Sequence, residues 1–263
     1  LPSLADTVII DGTSEPDYAG SPIIEIDGSA AGVSVSGLTF VTGANASTVR
    51  GLVINRFDLY GVLVQPGVNG MTIAGNYFGL DIAGTAGYGI GSDGIYLNNA
   101  NNATIGGSSA ADRNVIAGIP GRGIRLGAAS SNNIIQGNWI GIGADGSNVG
   151  IGSGIQIGSP GAANNLIGGT APGEGNIVAH TTQSAIRLQS GSGSGNSVLG
   201  NSVYDSNWVG IDINADQFTP NDPEDVDTGS NDFLNFPVVT SAAQNGADLD
   251  LTFHVVDDHV HVG

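Results

Sequence analysis

Asn133-Ile-Ile-Gln-Gly-Asn138-Trp-Ile-Gly141 is one instance of a pattern that the chain restates along most of its length. Asn138 has counterparts in Gly75-Asn76-Tyr-Phe78 and Gly200-Asn201-Ser-Val203, at distances of 62 and 63 residues. Asn114 in Arg113-Asn-Val-Ile116 and Asn176 in Gly175-Asn-Ile-Val178 form a second register, again 62 apart. A third motif, a small residue followed by apolar-X-apolar, starts at Gly61, Gly94, Gly123, Gly154, Ala185 and Gly210. Self-similarity of this kind marks a stacked repeat architecture, in which each unit buries its apolar face only against its neighbours.

The spacings give the shape of the unit. Clusters such as Met71-Thr-Ile-Ala-Gly75, Ala103-Thr-Ile-Gly-Gly107 and Asn165-Leu-Ile-Gly-Gly169 read as a first short strand. The second strand starts at the repeated Asn, and the third is the apolar-X-apolar motif. Ile73 to Asn76, Ile135 to Asn138 and Val198 to Asn201 are each 3 apart, whereas Ile105 to Asn114 and Ile167 to Asn176 are each 9 apart. From Asn to the third strand the step is 10 for Asn114, Asn176 and Asn201, but 19 for Asn76 and 17 for Asn138. Without the inserts, one unit is roughly 24 residues, which suits three short strands and three turns. Val49, Leu52 and Val62 keep the same steps, with Leu52 in the Asn position. The pattern predicts an all-β, single-stranded, right-handed parallel β-helix with three strands per coil plus loop inserts, the hand following from the rule for parallel crossovers. The Asn column is expected to be structural, with amides bonding along the row.

Composition narrows the function classes. Among 263 residues there are 44 Gly, 40% apolar residues and no Cys, so disulfide and thiolate chemistry is excluded. Six basic residues, all Arg, face 24 acidic ones, for a net charge of −18. Nucleic acid and anionic membrane surfaces need clustered cations and are therefore poor partners. No apolar stretch approaches the twenty residues of a spanning helix, so no membrane insertion is expected. The start at Leu1, without a charged-then-apolar leader, reads as a processed form or a piece of something longer. His254 to His261 departs from the rest in composition and is left out of the functional reading.

The blocks Asn164-Asn-Leu-Ile-Gly-Gly-Thr-Ala-Pro-Gly-Glu-Gly-Asn-Ile-Val178 and Gly137-Asn-Trp-Ile-Gly-Ile-Gly-Ala-Asp-Gly146 resemble right-handed parallel β-helix repeat proteins of the pectate-lyase-like kind, found in bacterial secreted or surface proteins. The resemblance implies the fold and a secreted or cell-surface location. Relatives of that kind include polysaccharide lyases, polygalacturonases, epimerases and phage tailspikes, so fold alone does not choose among activities.

In the third motif the apolar residues point inward and X faces solvent. Down the helix, X reads Leu63, Tyr96, Arg125, Gln156, Arg187 and Asp212. In the related enzymes the equivalent strip binds an extended polysaccharide, which makes Tyr96, Arg125, Gln156, Arg187 and Asp212 the candidate substrate-binding residues. The other reading is a solvated face whose charges prevent sheet-to-sheet sticking. Inserts 80–92 and 142–152 are placed to wall one side. Catalytic signatures are thin: Lys is absent, Asp212 is the strip's carboxylate, and the Gly-His-Gly and Arg-Ile-Lys motifs of polygalacturonases are missing. Asp93, Asp205 and His180 stand isolated in sequence, with His180 read as a corner residue. Trp139 and Trp208 are either sugar platforms or packing under loops. Asp222, Asp225 and Asp227 lie in the densest acidic cluster. They are candidate ligands for Ca²⁺, which takes several oxygens close in sequence; a plain solvated connector is the other reading.

The chain is expected to divide into an N-terminal cap (1–46), helix coils (47–214), and an acidic loop with a capping strand (215–263). The expected function is an exported module that binds polysaccharide or serves an adhesive or structural role in a larger surface protein. The alternative is a polysaccharide lyase or glycoside hydrolase acting along the same strip.

Overall fold

The computed structural model describes residues 1–218, 220–221, 229–233 and 238–254, with no side-chain description for 232 and 233. It is a right-handed parallel β-helix with three sheets of seven strands each, every sheet taking one strand from each coil in order. The first sheet holds Ile9–Asp11, Thr48–Arg50, Thr72–Ala74, Thr104–Gly106, Ile134–Gln136, Leu166–Gly168 and Ser197–Leu199. The second holds Ile24–Asp27, Leu52–Asn55, Tyr77–Phe78, Val115–Ile116, Trp139–Ile140, Ile177–Ala179 and Ser202–Tyr204. The third holds Leu38–Phe40, Tyr60–Val64, Asp93–Leu97, Arg122–Leu126, Ser153–Ile157, Ile186–Gln189 and Ile211–Asn214. Residues 9–40 thus supply a strand to every sheet and form the first coil, continuous with those that follow. Beyond the coils, Val238–Asn245 and Asp248–His254 pair antiparallel with each other in a separate hairpin, where a single capping strand was expected. Gly246, at φ 64°, opens its two-residue turn.

Stacking in register turns the sequence repeat into columns. Ile73, Ile105, Ile135 and Ile167 lie over one another in the first sheet, all fully buried. Phe78, Ile116, Ile140 and Val178 do the same in the second, and Ile95, Ile124, Ile155 and Ile186 in the third. The small residue that opens the third motif is a packing demand. A Cβ on Gly61 would sit 2.8 Å from the Phe78 ring, one on Gly123 would sit 2.9 Å from Ile140 Cγ2, and one on Gly154 would strike Val178. Second and third sheets converge here, and a larger side chain has no room.

The Asn column is a hydrogen-bonded ladder. Nδ2 of Asn76 donates to Oδ1 of Asn114 (3.0 Å), Asn114 to Asn138 (2.9 Å), Asn138 to Asn176 (2.9 Å) and Asn176 to Asn201 (2.9 Å). A second ladder, not anticipated, runs along the corner before the first sheet, with Asn133 donating to Asn165 (3.0 Å) and Asn165 to Asn196 (2.9 Å). Its trace in the sequence is an Asn two residues before Ile135, Ile167 and Val198. Both ladders satisfy buried turn backbone that short strands leave unpaired.

The outer turns use carboxylates. The Thr13 hydroxyl (2.6 Å) and amide hold Asp11 below the usual carboxylate range, the Ser29 amide does so for Asp27 (2.7 Å), and Ser147 for Asp145. A depressed folded-state pKa adds stability above the ordinary carboxylate value, and that contribution is lost as the pH falls through the depressed one. The melting temperature should therefore fall below about pH 4, and replacing the three aspartates with Asn should flatten that limb. Thermal melts by circular dichroism between pH 6 and 3 check this; an acid limb identical in the triple variant would overturn it.

Candidate functional site

The register confirms the X column as a physical line: Leu63 beside Tyr96, Tyr96 beside Arg125, then Gln156, Arg187 and Asp212. Its members do not all face solvent, as the alternation had implied. Tyr96, Arg125 and Arg187 are partly exposed, but Gln156 is 5% exposed and Asp212 is 0% exposed. Gln156 lies between two arginines and accepts from Arg122 Nε (2.8 Å). Asp212 is closed in by Ser184 Oγ (3.0 Å), Arg187 Nε (3.1 Å) and the Gln217 amide (2.9 Å). Both are positioning groups for the cations beside them.

Asp93, isolated in sequence, sits three residues before Tyr96 on the same strand and is fully buried. Its Oδ1 accepts from the Arg122 amide (3.1 Å) and Arg122 Nη1 (3.1 Å), and Arg125 Nη1 lies 3.8 Å from Oδ2. Above it, the Tyr60 and Tyr96 rings lie 5.1 Å apart, and the Arg125 guanidinium stands 4.5 Å from the Tyr96 ring centre. Further along, Arg187 stands 5.2 Å from the Trp208 ring centre. The exposed line is therefore a run of aromatic faces and guanidinium groups, its cations anchored from below by two buried carboxylates. Those carboxylates are four strands apart, about 19 Å at the spacing of paired strands. Glycoside hydrolysis by a carboxylate pair needs about 5–10 Å, so Asp93 and Asp212 do not form one.

Beside the strip, the corner joining second and third sheets is hollowed into a groove. A hollow of about 530 Å³ runs from Gly28 through Arg56 and Tyr88 to Pro120, one of about 450 Å³ from Pro120 past Ile151 to Thr182, and one of about 400 Å³ from Thr182 to Asp205 and Asn207. Pro120 lines the first two and Thr182 the last two, so these shallow hollows adjoin in a row across the seven coils, about 29 Å at the same spacing. The inserts contribute differently from expectation. They fold back over the outer face of the second sheet, where Leu80, Ala144 and Val149 join a cluster with Val53, Tyr77 and Val115. Only their last residues reach the groove.

At one end of the groove the fold joins His180 and Asp205, with Nδ1 3.5 Å from Oδ2 and the His180 ring edge-on to Tyr204. Both have positive φ (52° and 50°), as do Arg56 (57°) and Gly118 (70°) two residues past the inward residue of the second strand. The corner demands a left-handed residue, for which His and Asp are tolerated. His180 is thus a corner residue as read, and Asp205 meets it because the next coil stacks directly on top.

Trp139 packs against the outer cluster of the second sheet, while Trp208 is 39% exposed. Asp222, Asp225 and Asp227 lie outside the described residues. Among the described residues no group of three or more acidic, His or Cys side chains is placed to hold a metal ion. The fold and strip define a class, a parallel β-helix with a solvent-facing aromatic and arginine line beside a long groove. Comparison with known protein families, curated proteins and solved structures gives no match.

Proposed function

We propose that the chain is a polysaccharide-binding module of an exported surface protein, and that a single extended polymer lies along the groove and the strip beside it. The observation that carries this reading is the row of shallow hollows that adjoin at Pro120 and Thr182. A closed pocket suits a small molecule, whereas an open trough that crosses every coil suits a linear one. Its flank supplies what sugars use: Tyr60, Tyr96 and Trp208 as flat amphipathic faces, and Arg122, Arg125 and Arg187 as donors with fixed geometry. Burial of Asp93 and Asp212 fixes those donors in advance, which reduces the ordering cost of binding.

In affinity gels cast with neutral and uronate-containing polysaccharides, the protein should be retarded by at least one polymer. Tyr96→Ala and Arg125→Ala should each weaken retention by about tenfold, the equivalent of one good contact. Free migration in every gel would reject the binding reading.

His180 and Asp205 favour a second reading, catalysis on the bound polymer, with His180 as the proton acceptor and Asp205 orienting it. Incubation with the retarding polymer should then generate unsaturated or reducing ends that His180→Ala abolishes. No new ends would leave binding as the whole activity.

A further inference from the structure

Five of the six arginines are tied to carboxylates: Arg50 to Asp11, Arg56 to Asp27, Arg122 and Arg125 to Asp93, and Arg187 to Asp212. Among the described residues, Arg113 has no such partner, in a chain with 24 acidic residues. It sits on the turn between first and second strands, on a different face from the strip. Its Nε reaches the Gly137 carbonyl at a long 3.4 Å, and its guanidinium lies 4.2 Å from the Trp139 ring centre. Burial pushes its pKa down, so the cation there is incompletely solvated and incompletely paired.

The same guanidinium lines a pocket of about 150 Å³ with Tyr18, Pro22, Tyr77, Ala111 and Trp139. Separate parts of the chain build this pocket: the N-terminal turn, the second sheet, and the insert before Asn114. A cavity of this order holds one six-membered ring. The Tyr18 ring is partly buried and its hydroxyl pKa is raised by that burial, which keeps it a neutral hydroxyl beside the site.

From this arrangement we infer a second binding site that takes a single carboxylated sugar ring, a uronate, with its carboxylate on Arg113 and its ring between Tyr18 and Tyr77. The guanidinium fork matches a carboxylate with two parallel N–H···O bonds, and pairing restores what burial took from the cation. A neutral sugar leaves Arg113 as it is, and a bare carboxylate leaves the aromatic walls uncovered. The site is separate from the groove and does not depend on the polymer reading.

The test uses Trp139 as reporter, in a Trp208→Phe background so that the emission belongs to one ring. Titration with galacturonate should change the fluorescence saturably, with galactose and acetate binding at least tenfold more weakly. Arg113→Gln should lose at least tenfold in galacturonate affinity, the worth of one charge-assisted contact. Arg113→Lys should fall in between, since it keeps the charge and loses the fork. A circular-dichroism melt on each variant confirms the fold. Equal binding of galactose would overturn the carboxylate assignment, equal binding of acetate would overturn the sugar ring, and an unchanged Arg113→Gln affinity or no response to galacturonate would overturn the site.

Discussion

Asn138→Ala should lower the melting temperature by about 6–12 °C, the response of a chain this size to a loss of about 3 kcal/mol. Asn138 is fully buried in the middle of the ladder. Its Oδ1 accepts from both the amide and Nδ2 of Asn114 (3.3 and 2.9 Å), and its own Nδ2 donates to the carbonyls of Ile105 and Gln136 and to Asn176. Alanine strands the Asn114 amide among apolar side chains, where each unsatisfied group costs about 1–3 kcal/mol. The partner carbonyls keep a second lone pair, which limits the loss on that side. Because each coil touches only its neighbours, the damage should also broaden the transition, with the coils on either side melting less cooperatively. Asn201→Ala is the internal control. Asn201 ends the ladder partly exposed, so water replaces much of what is lost and the cost should be about 1 kcal/mol. If Asn138→Ala and Asn201→Ala melt alike, the ladder follows the fold and does not hold it together.

That ladder was legible because its signal is local and repeated: the same residue type, 3 or 9 residues past the first inward Ile or Val, in five successive coils. The inward columns of Ile and Val were legible for the same reason, since alternation fixes which face is buried once strands stack in register. Asp93 and His180 were not, because each meets the residue at the equivalent position of the next coil, where the repeat fixes the place but not the residue type. Arg122 and Asp93 are 29 residues apart and join only after the register is set. The same limit explains Gln156 and Asp212. Alternation correctly put both on the outer side of the third sheet, but whether an outer residue meets water depends on what lies over it. For Asp212 that cover is Arg187 and the turn to Gln217, neither of which the periodicity describes. The inserts misled in a similar way. Their lengths showed where chain was added, while their apolar residues Leu80 and Val149 decided that they fold over the second sheet.

Asp212→Ala should cost about 3 kcal/mol, the lower end for breaking a buried ion pair. The carboxylate is fully buried and receives three donors, so removing it leaves the Ser184 hydroxyl, the Gln217 amide and Arg187 without their acceptor. The lower end applies because the Arg187 side chain retains 16% exposure and can turn part of its guanidinium to water. Arg187→Met alone is the reverse experiment: it leaves a buried carboxylate with only neutral donors, and should be no milder. Asp212→Ala with Arg187→Met removes both charges and should recover at least 1 kcal/mol relative to the sum of the singles, as expected for groups in direct contact. This cycle also separates structure from recognition. A single Arg187 substitution that abolishes polymer retention is ambiguous, since it unsettles the same end of the strip that it is meant to probe. The double variant restores the packing without restoring the cation. Weak retention by a stable double variant assigns Arg187 to the polymer directly; full retention removes it from the binding surface and leaves the pair as a clamp on the last coil.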